Sequence, residues 1–240
     1  MDLDKRSLEL IRQVEAKRGY LLPYHELFLL VDPALLEAYD RLYENLTLKT
    51  RHLDQRTKEI VWLGILISVQ EEAGTLHLER AREAGLRQEE IGRIIALSQV
   101  AMGVEAVTFI KDWWQDHLPE VDPWAGYGRL VEAAGQDTTL HPKAVELMFI
   151  GIYSALTRKE ALRFHLRRAG QYGLRDEEIG EAMSFALIPR GGNVLIEAAQ
   201  VLKELVIKGQ YRPSSVFRYW LDRPGPGEPS GGPGSDPGKA

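Results

Sequence analysis

The chain has 240 residues, enough for one large core or two small ones, with 30 basic against 35 acidic residues, a formal charge of −5 and no cysteine. Lys and Arg are scattered among acids instead of forming blocks, which argues against nucleic acid as a partner. The absence of sulfhydryls excludes disulfides, thiolate metal sites and thiol redox chemistry together.

In chain order, residues 1–50 read as an N-terminal helical arm, with apolar residues at three- and four-residue steps (Leu8, Ile11, Val14; Leu35, Tyr39, Leu42). The same period runs on through Ile91, Ile94, Ile95 and Ser98, and no stretch up to residue 221 alternates as a strand does. Breaks fall at helix-stopping residues: Gly19 and Pro23, Asp32-Pro33, Gly85, Pro119 to Pro123, Gly173, Pro189 to Gly192, and Pro213. The fold class expected is therefore all-α. Residues 223–240 hold five Pro and six Gly and read as a disordered tail. No apolar stretch near the ~18 residues of a membrane span is apparent, nor a charged-then-apolar leader, so the expectation is a cytoplasmic protein with no membrane partner.

The chain also repeats itself. His77 to Gly92 (HLERAREAGLRQEEIG) matches His165 to Gly180 (HLRRAGQYGLRDEEIG) at eleven of sixteen positions. The flanks repeat as well: Leu53 to Gly64 (LDQRTKEIVWLG) reads against Leu140 to Gly151 (LHPKAVELMFIG), with Glu59 opposite Glu146. The expected organisation is a tandem pseudo-twofold duplication: residues 1–120 as the arm plus a first unit, 121–222 as a second unit, 223–240 as the tail.

Each half thus carries a Glu in an apolar helix and a His on an inward stripe. An unpaired carboxylate among Ile60, Val61 and Trp62, or among Leu147, Met148 and Phe149, is costly to bury. It either reaches water or a neighbouring Arg near the helix start, or serves a pocket. His165 shares a helical stripe with Ala161, Ala169 and Tyr172, and His77 with Ala73, Ala81 and Ala84. A single inward His is usually a satisfied core residue; two, each preceded by a helix with an inward Glu, point to Glu146 and His165 as catalytic, with Glu59 and His77 as their first-half equivalents. Ser68-x-x-Glu71 and Thr157-x-x-Glu160 fit capping boxes. Arg190, Gly191 and Gly192 precede a helix over 194–206 and form a candidate substrate-binding turn, where amides and a guanidinium meet an anion; a plain helix-to-helix turn explains them equally well. Trp113, Trp114, Tyr20 and Tyr24 could line a pocket or an interface, but aromatics at this density are more often core, and no role is assigned to them. No His-x3-His or Glu-x-x-His pair appears, and neither a metal nor a cofactor is expected.

The Glu in an apolar helix, Glu-x4-His, Ala-x3-Gly-Leu-x3-Glu-Ile and a Gly turn, with the opening Gly-Tyr-Leu-Leu-Pro23, Asp32-Pro-Ala-Leu-Leu-Glu-Ala38 and Leu53-Asp-Gln-Arg-Thr-Lys-Glu-Ile60, resemble the carboxymuconolactone decarboxylase family, which includes alkyl hydroperoxidase D-like proteins. The resemblance covers residues 19–206 in two copies. It implies a helical unit paired with its second copy and a homo-oligomer, here a trimer. In the peroxidase branch it implies a Cys-x-x-Cys seven and four residues before the His. Gln70 and Ala73, and Arg158 and Ala161, stand there instead, so thiol peroxidase chemistry is excluded. What carries over is Glu146 with His165, and Glu59 with His77. The decarboxylase branch then implies a cofactor-free carboxy-lyase or lactone-processing enzyme acting on a small cyclic or unsaturated carboxylic acid, the expected partner. The helix from Glu to His is one residue longer here than the Glu-Leu-x-x-His form of that branch. The alternative is a non-catalytic ligand-binding or assembly protein on the same fold.

Overall fold

The computed structural model describes residues 4–135 and 139–221; the 223–240 segment read as a tail lies outside them. The described residues contain helices and turns and no strand. They fall into two compact units that divide between residues 51 and 52.

In the N-terminal unit, helices α1 (Lys5–Arg18), α2 (Pro23–Val31) and α3 (Pro33–Tyr43) pack around Val14, Leu29 and Leu36. Asp4 caps α1 by accepting from the Ser7 amide, and Gly19 ends it at φ +81, a left-handed conformation that suits a residue without Cβ. Asp32 caps α3 through the Ala34 amide, with Pro33 at the first helical position. A polar cluster lies beside this core: Arg18 is paired with Asp40 at 3.0 Å, lies over the Tyr43 ring at 3.9 Å and approaches Nε2 of His25 at 2.7 Å. Tyr20 and Tyr24 belong to it, their hydroxyls bonded to those of Tyr43 and Tyr39.

The larger unit is built on the duplication. Helices α4 (Gln55–Ser68), α5 (Leu76–Glu83), α6 (Gln88–Met102) and α7 (Val104–Phe109) are followed by α8 (Pro123–Gly135). Then come α9 (Pro142–Leu156), α10 (Lys159–Arg168), α11 (Asp176–Ser184), the one-turn α12 (Leu187–Arg190) and α13 (Gly192–Ile207). The counterpart helices α4 and α9 cross at the centre, the most extensive helix pairing among the described residues. Both are almost wholly buried, which is why neither shows a solvent stripe in the sequence.

Glycine decides how closely these helices approach. A Cβ on Gly151 would stand 2.9 Å from Val61 Cγ1 and 3.0 Å from Ile65 Cδ1, and one on Gly64 would overlap Met148 Cγ and meet Ile152. Gly64 and Gly151, Val61 and Met148, and Ile65 and Ile152 are three pairs of counterparts, so the crossing has the pseudo-twofold symmetry of the sequence. The symmetry reaches the backbone after each helix, where Gln70 and Thr157 both take left-handed φ values of 58° and 55°. It also reaches the ion pairs: Arg56 meets Glu90 at 2.6 Å and Lys143 meets Glu178 at 2.8 Å, each tying the first turn of a central helix to the helix after the repeat.

Some local expectations gave way. Ser68 and Glu71 form no capping box: Glu71 instead accepts from Ala73, one turn later, and the buried Ser68 hydroxyl has no partner among the described residues. Thr157 ends α9 in the left-handed region with its hydroxyl on the Leu156 carbonyl, and Glu160 pairs with Arg163. The helix starts are held inside the repeated Arg-x-Glu-Glu, where Glu90 and Glu178 accept from the amides of Arg87 and Arg175. Trp113 and Trp114 are exposed, at 72% and 50%, because the helical path leaves the core at residues 110–114. The helical run Gln88–His117, with mean hydropathy 1.5 over its most apolar window, is also long and apolar enough by composition to cross a membrane, contrary to the sequence reading; Ile91, Ile94, Leu97 and Ala101 of that run face the core.

Candidate functional site: two glutamate–histidine pairs

Glu59 is the fifth residue of α4 and Glu146 the fifth residue of α9. That depth puts each carboxylate beyond the reach of solvent at the helix start; they are 0% and 2% exposed. Each meets the His of its own half: Glu59 Oε2 lies 2.8 Å from Nδ1 of His77, and Glu146 Oε1 lies 2.7 Å from Nδ1 of His165. An ionised carboxylate only accepts, and the tautomer that suits one at this place donates from Nδ1 and leaves Nε2 to face whatever lies beyond.

What lies beyond separates the halves. His165 is fully buried, stacked on Phe149 with centroids 4.6 Å apart and planes within 7°. Its Nε2 is 3.0 Å from the Tyr127 hydroxyl, which is 2.5 Å from that of Tyr153, which in turn lies 3.3 Å from the Ala101 carbonyl oxygen. Burial raises the pKa of both phenols, so they remain neutral hydroxyls. Arg168 supplies the charge near Glu146, its Nε 3.8 Å from Oε1, while its Nη2 donates to the Tyr172 hydroxyl at 2.5 Å. Every ring nitrogen and hydroxyl of this pair is engaged within the protein.

The first-half pair is more open. His77 sits in the first turn of α5, after a short 3₁₀ turn over Glu72–Thr75, and its side chain keeps 8% exposure. Gln55 donates to the second carboxylate oxygen of Glu59 at 2.9 Å. Nε2 of His77 has no hydrogen-bond partner among the described residues. The Trp62 ring covers one face of the imidazole at 5.0 Å.

Arg190, Gly191 and Gly192 stand apart from both pairs. Arg190 ends α12 exposed, Gly191 takes φ +79 ahead of α13, and no hydrogen bond, ion pair or ring contact joins these three to Glu146 or His165. The cation beside Glu146 is Arg168. Sequence reasoning passed over it although it is one of the eleven repeated positions, with Arg80 as counterpart. The Tyr127–Tyr153 relay was also missed, since those residues come from α8 and α9, outside the repeated motif. Three surface cavities, of about 740, 680 and 360 Å³, open elsewhere. The smallest lies at the starts of α4 and α9 and is lined by His52, Arg56, His141 and Lys143 among others. Among the described residues no three His, Asp or Glu side chains converge as metal ligands.

The model of the carboxymuconolactone decarboxylase family matches residues 33–116 and again 125–204. A solved chain from Burkholderia xenovorans, described as a candidate gamma-carboxymuconolactone decarboxylase subunit, is similar in fold, with a TM-score of 0.63 and 19% identity over 85% of this chain and 98% of that one. No curated protein matches. Two family matches that together span most of the chain, one for each glutamate–histidine pair, agree with the duplication read from the sequence and with the crossing of α4 on α9: the chain belongs to the carboxymuconolactone decarboxylase family and carries its unit twice.

Proposed function

We propose that the protein is a cofactor-free carboxy-lyase or lactone-processing enzyme acting on a small cyclic or unsaturated carboxylic acid, and that Glu59 and His77 are its acid–base pair. The observation that carries this reading is the unshared Nε2 of His77, set against the engaged Nε2 of His165. Glu59 fixes the tautomer that leaves the Nε2 lone pair outward and stabilises the imidazolium once a proton arrives.

Loss of carbon dioxide from such an acid breaks one carbon–carbon bond and leaves its electron pair in a conjugated enolate. The carbon must then take one proton. His77, protonated from solvent at Nε2, delivers it and returns to the neutral tautomer; in a lactone isomerisation the same nitrogen removes a proton from one carbon and gives it to another. Glu146 and His165 serve in this reading as the rigid counterpart that holds the second half together.

Gamma-carboxymuconolactone, the compound named for the similar Burkholderia chain, is the first substrate to test, with carbon dioxide release as the readout. Turnover should fall about 100-fold or more in His77→Ala, the range of a lost general acid–base group. Turnover retained in His77→Ala would overturn the assignment. The competing reading is a non-catalytic ligand-binding or assembly protein. It predicts saturable ligand binding with no carbon dioxide released by the unaltered protein.

A further inference from the structure

We infer that the indole N–H of Trp62 is the donor that holds an oxygen of the ligand beside His77. This rests on the reading of Glu59 and His77 as the working pair.

Trp62 lies three residues after Glu59 on α4 and is 1% exposed. Its ring is held between two others: the His77 imidazole at 5.0 Å and Phe185, stacked at 4.8 Å with planes within 15°. The indole N–H lies in its own ring plane, so it does not donate to the face of Phe185 stacked on it, and the His77 ring is tilted by 31° to that plane. Its Nε1 is buried and has no acceptor among the described residues. Buried N–H groups almost always find an acceptor, because leaving water without one is costly.

The second half shows that the nitrogen is not needed for packing. Phe149 is the counterpart of Trp62 and packs on His165 without a polar atom, its plane within 7° of the imidazole where Trp62 is tilted by 31° to His77. In that half the hydroxyls of Tyr127 and Tyr153 complete the imidazole; the counterpart of Tyr153 is Leu66, which has none to offer. The first half therefore holds an unmet donor on one ring and an unmet ring nitrogen, His77 Nε2, on the ring beside it. A carbonyl or carboxylate oxygen suits the indole, while the imidazole exchanges a proton with an adjacent atom of the same small molecule. In the reaction proposed above, negative charge grows on the carbonyl oxygen of the enolate, which a fixed donor stabilises.

The test uses the full chain labelled with ¹⁵N and muconolactone as the probe, since it offers both a lactone carbonyl and a carboxylate. The Trp62 indole resonance is identified by its loss in Trp62→Phe, which installs the ring that the second half already carries and should leave thermal unfolding near that of the parent. The expected result is a saturable downfield shift of the Trp62 N–H together with the His77 ring nitrogens, and about tenfold weaker probe binding in Trp62→Phe, the scale of one hydrogen bond. Saturable shifts at His77 with Trp62 unmoved and Trp62→Phe binding unchanged would overturn this inference and leave the Glu59–His77 reading intact. No saturable shift at either ring would overturn both.

Discussion

The Tyr127 hydroxyl lies 3.0 Å from Nε2 of His165, and with Glu146 on the other ring nitrogen the imidazole is closed at both ends. Closure makes the second pair a structural unit: removing any member leaves a buried polar group with nothing to meet. Tyr127→Phe keeps the ring and its edge contact on His165 but strands Nε2 and leaves the Tyr153 hydroxyl with the Ala101 carbonyl alone, so it should cost about 1–3 kcal/mol of unfolding free energy in urea titration. A neutral result would mean that water replaces the hydroxyl.

The two histidines should part company when truncated. His165→Ala opens a cavity and leaves Glu146 buried without its partner, a loss expected at ~3–5 kcal/mol. His77→Ala leaves Glu59 with its Gln55 bond and a site that water can reach, and should cost less, ~1–2 kcal/mol, while removing turnover. Paired denaturation and activity measurements on both variants check the contrast, and equal destabilisation with equal activity would contradict it.

At the α4–α9 crossing, Gly151→Ala places a methyl group 2.9 Å from Val61 Cγ1, with the Ala182 carbonyl oxygen at 3.3 Å. Two central helices must move apart to admit it, and overpacking of this kind costs ~1–3 kcal/mol. Gly64→Ala sets its methyl group onto Cγ of the fully buried Met148, close to that residue's backbone, and should cost at least as much as Gly151→Ala. Thermal unfolding of both variants gives the order.

Stability of the N-terminal unit should fall on acidification. Burial, and then the Arg18 guanidinium, push the pKa of His25 down to about 4, and Asp40 offsets this only in part. The unfolded chain takes up its proton near the ordinary histidine value of ~6.5 and the folded chain only near 4. The contribution of His25 is therefore fully present above pH ~6.5 and is lost as the pH falls through 4. Arg18 Nη1 and the Leu22 amide both face ring nitrogens, and an imidazolium would set N–H against N–H at both contacts. Urea midpoints of the full chain from pH 7.5 to 4 should decline, and the decline should flatten in His25→Gln; an unchanged slope would show that other groups control it.

Self-association is proposed on the exposed apolar side chains Ile95, Met102, Phe109, Trp113 and Trp114 along the run from α6 through residue 114. A trimer is expected in light scattering at micromolar concentration, with dissociation in the double variant Trp113→Ala, Trp114→Ala; a monomeric parent would refute it.

The repeat alone determined the all-helical duplication and the two glutamate–histidine pairs, because apolar phase, helix stops and the positions of Glu59, His77, Glu146 and His165 recur together along the chain. Periodicity could also place each His inward. It could not say what the far nitrogen of each imidazole would meet, since Tyr127 reaches His165 from 38 residues away and Phe185 reaches Trp62 across the repeats. Nor could it separate Arg168 from Arg190 as the cation near Glu146, because the Gly-Gly turn carries a local signal and the Arg168 contact has none beyond its repetition. Only the tertiary structure decided which histidine keeps an unshared nitrogen. That difference comes from residues outside the motif, a hydroxyl relay in one half against Leu66 and an indole in the other.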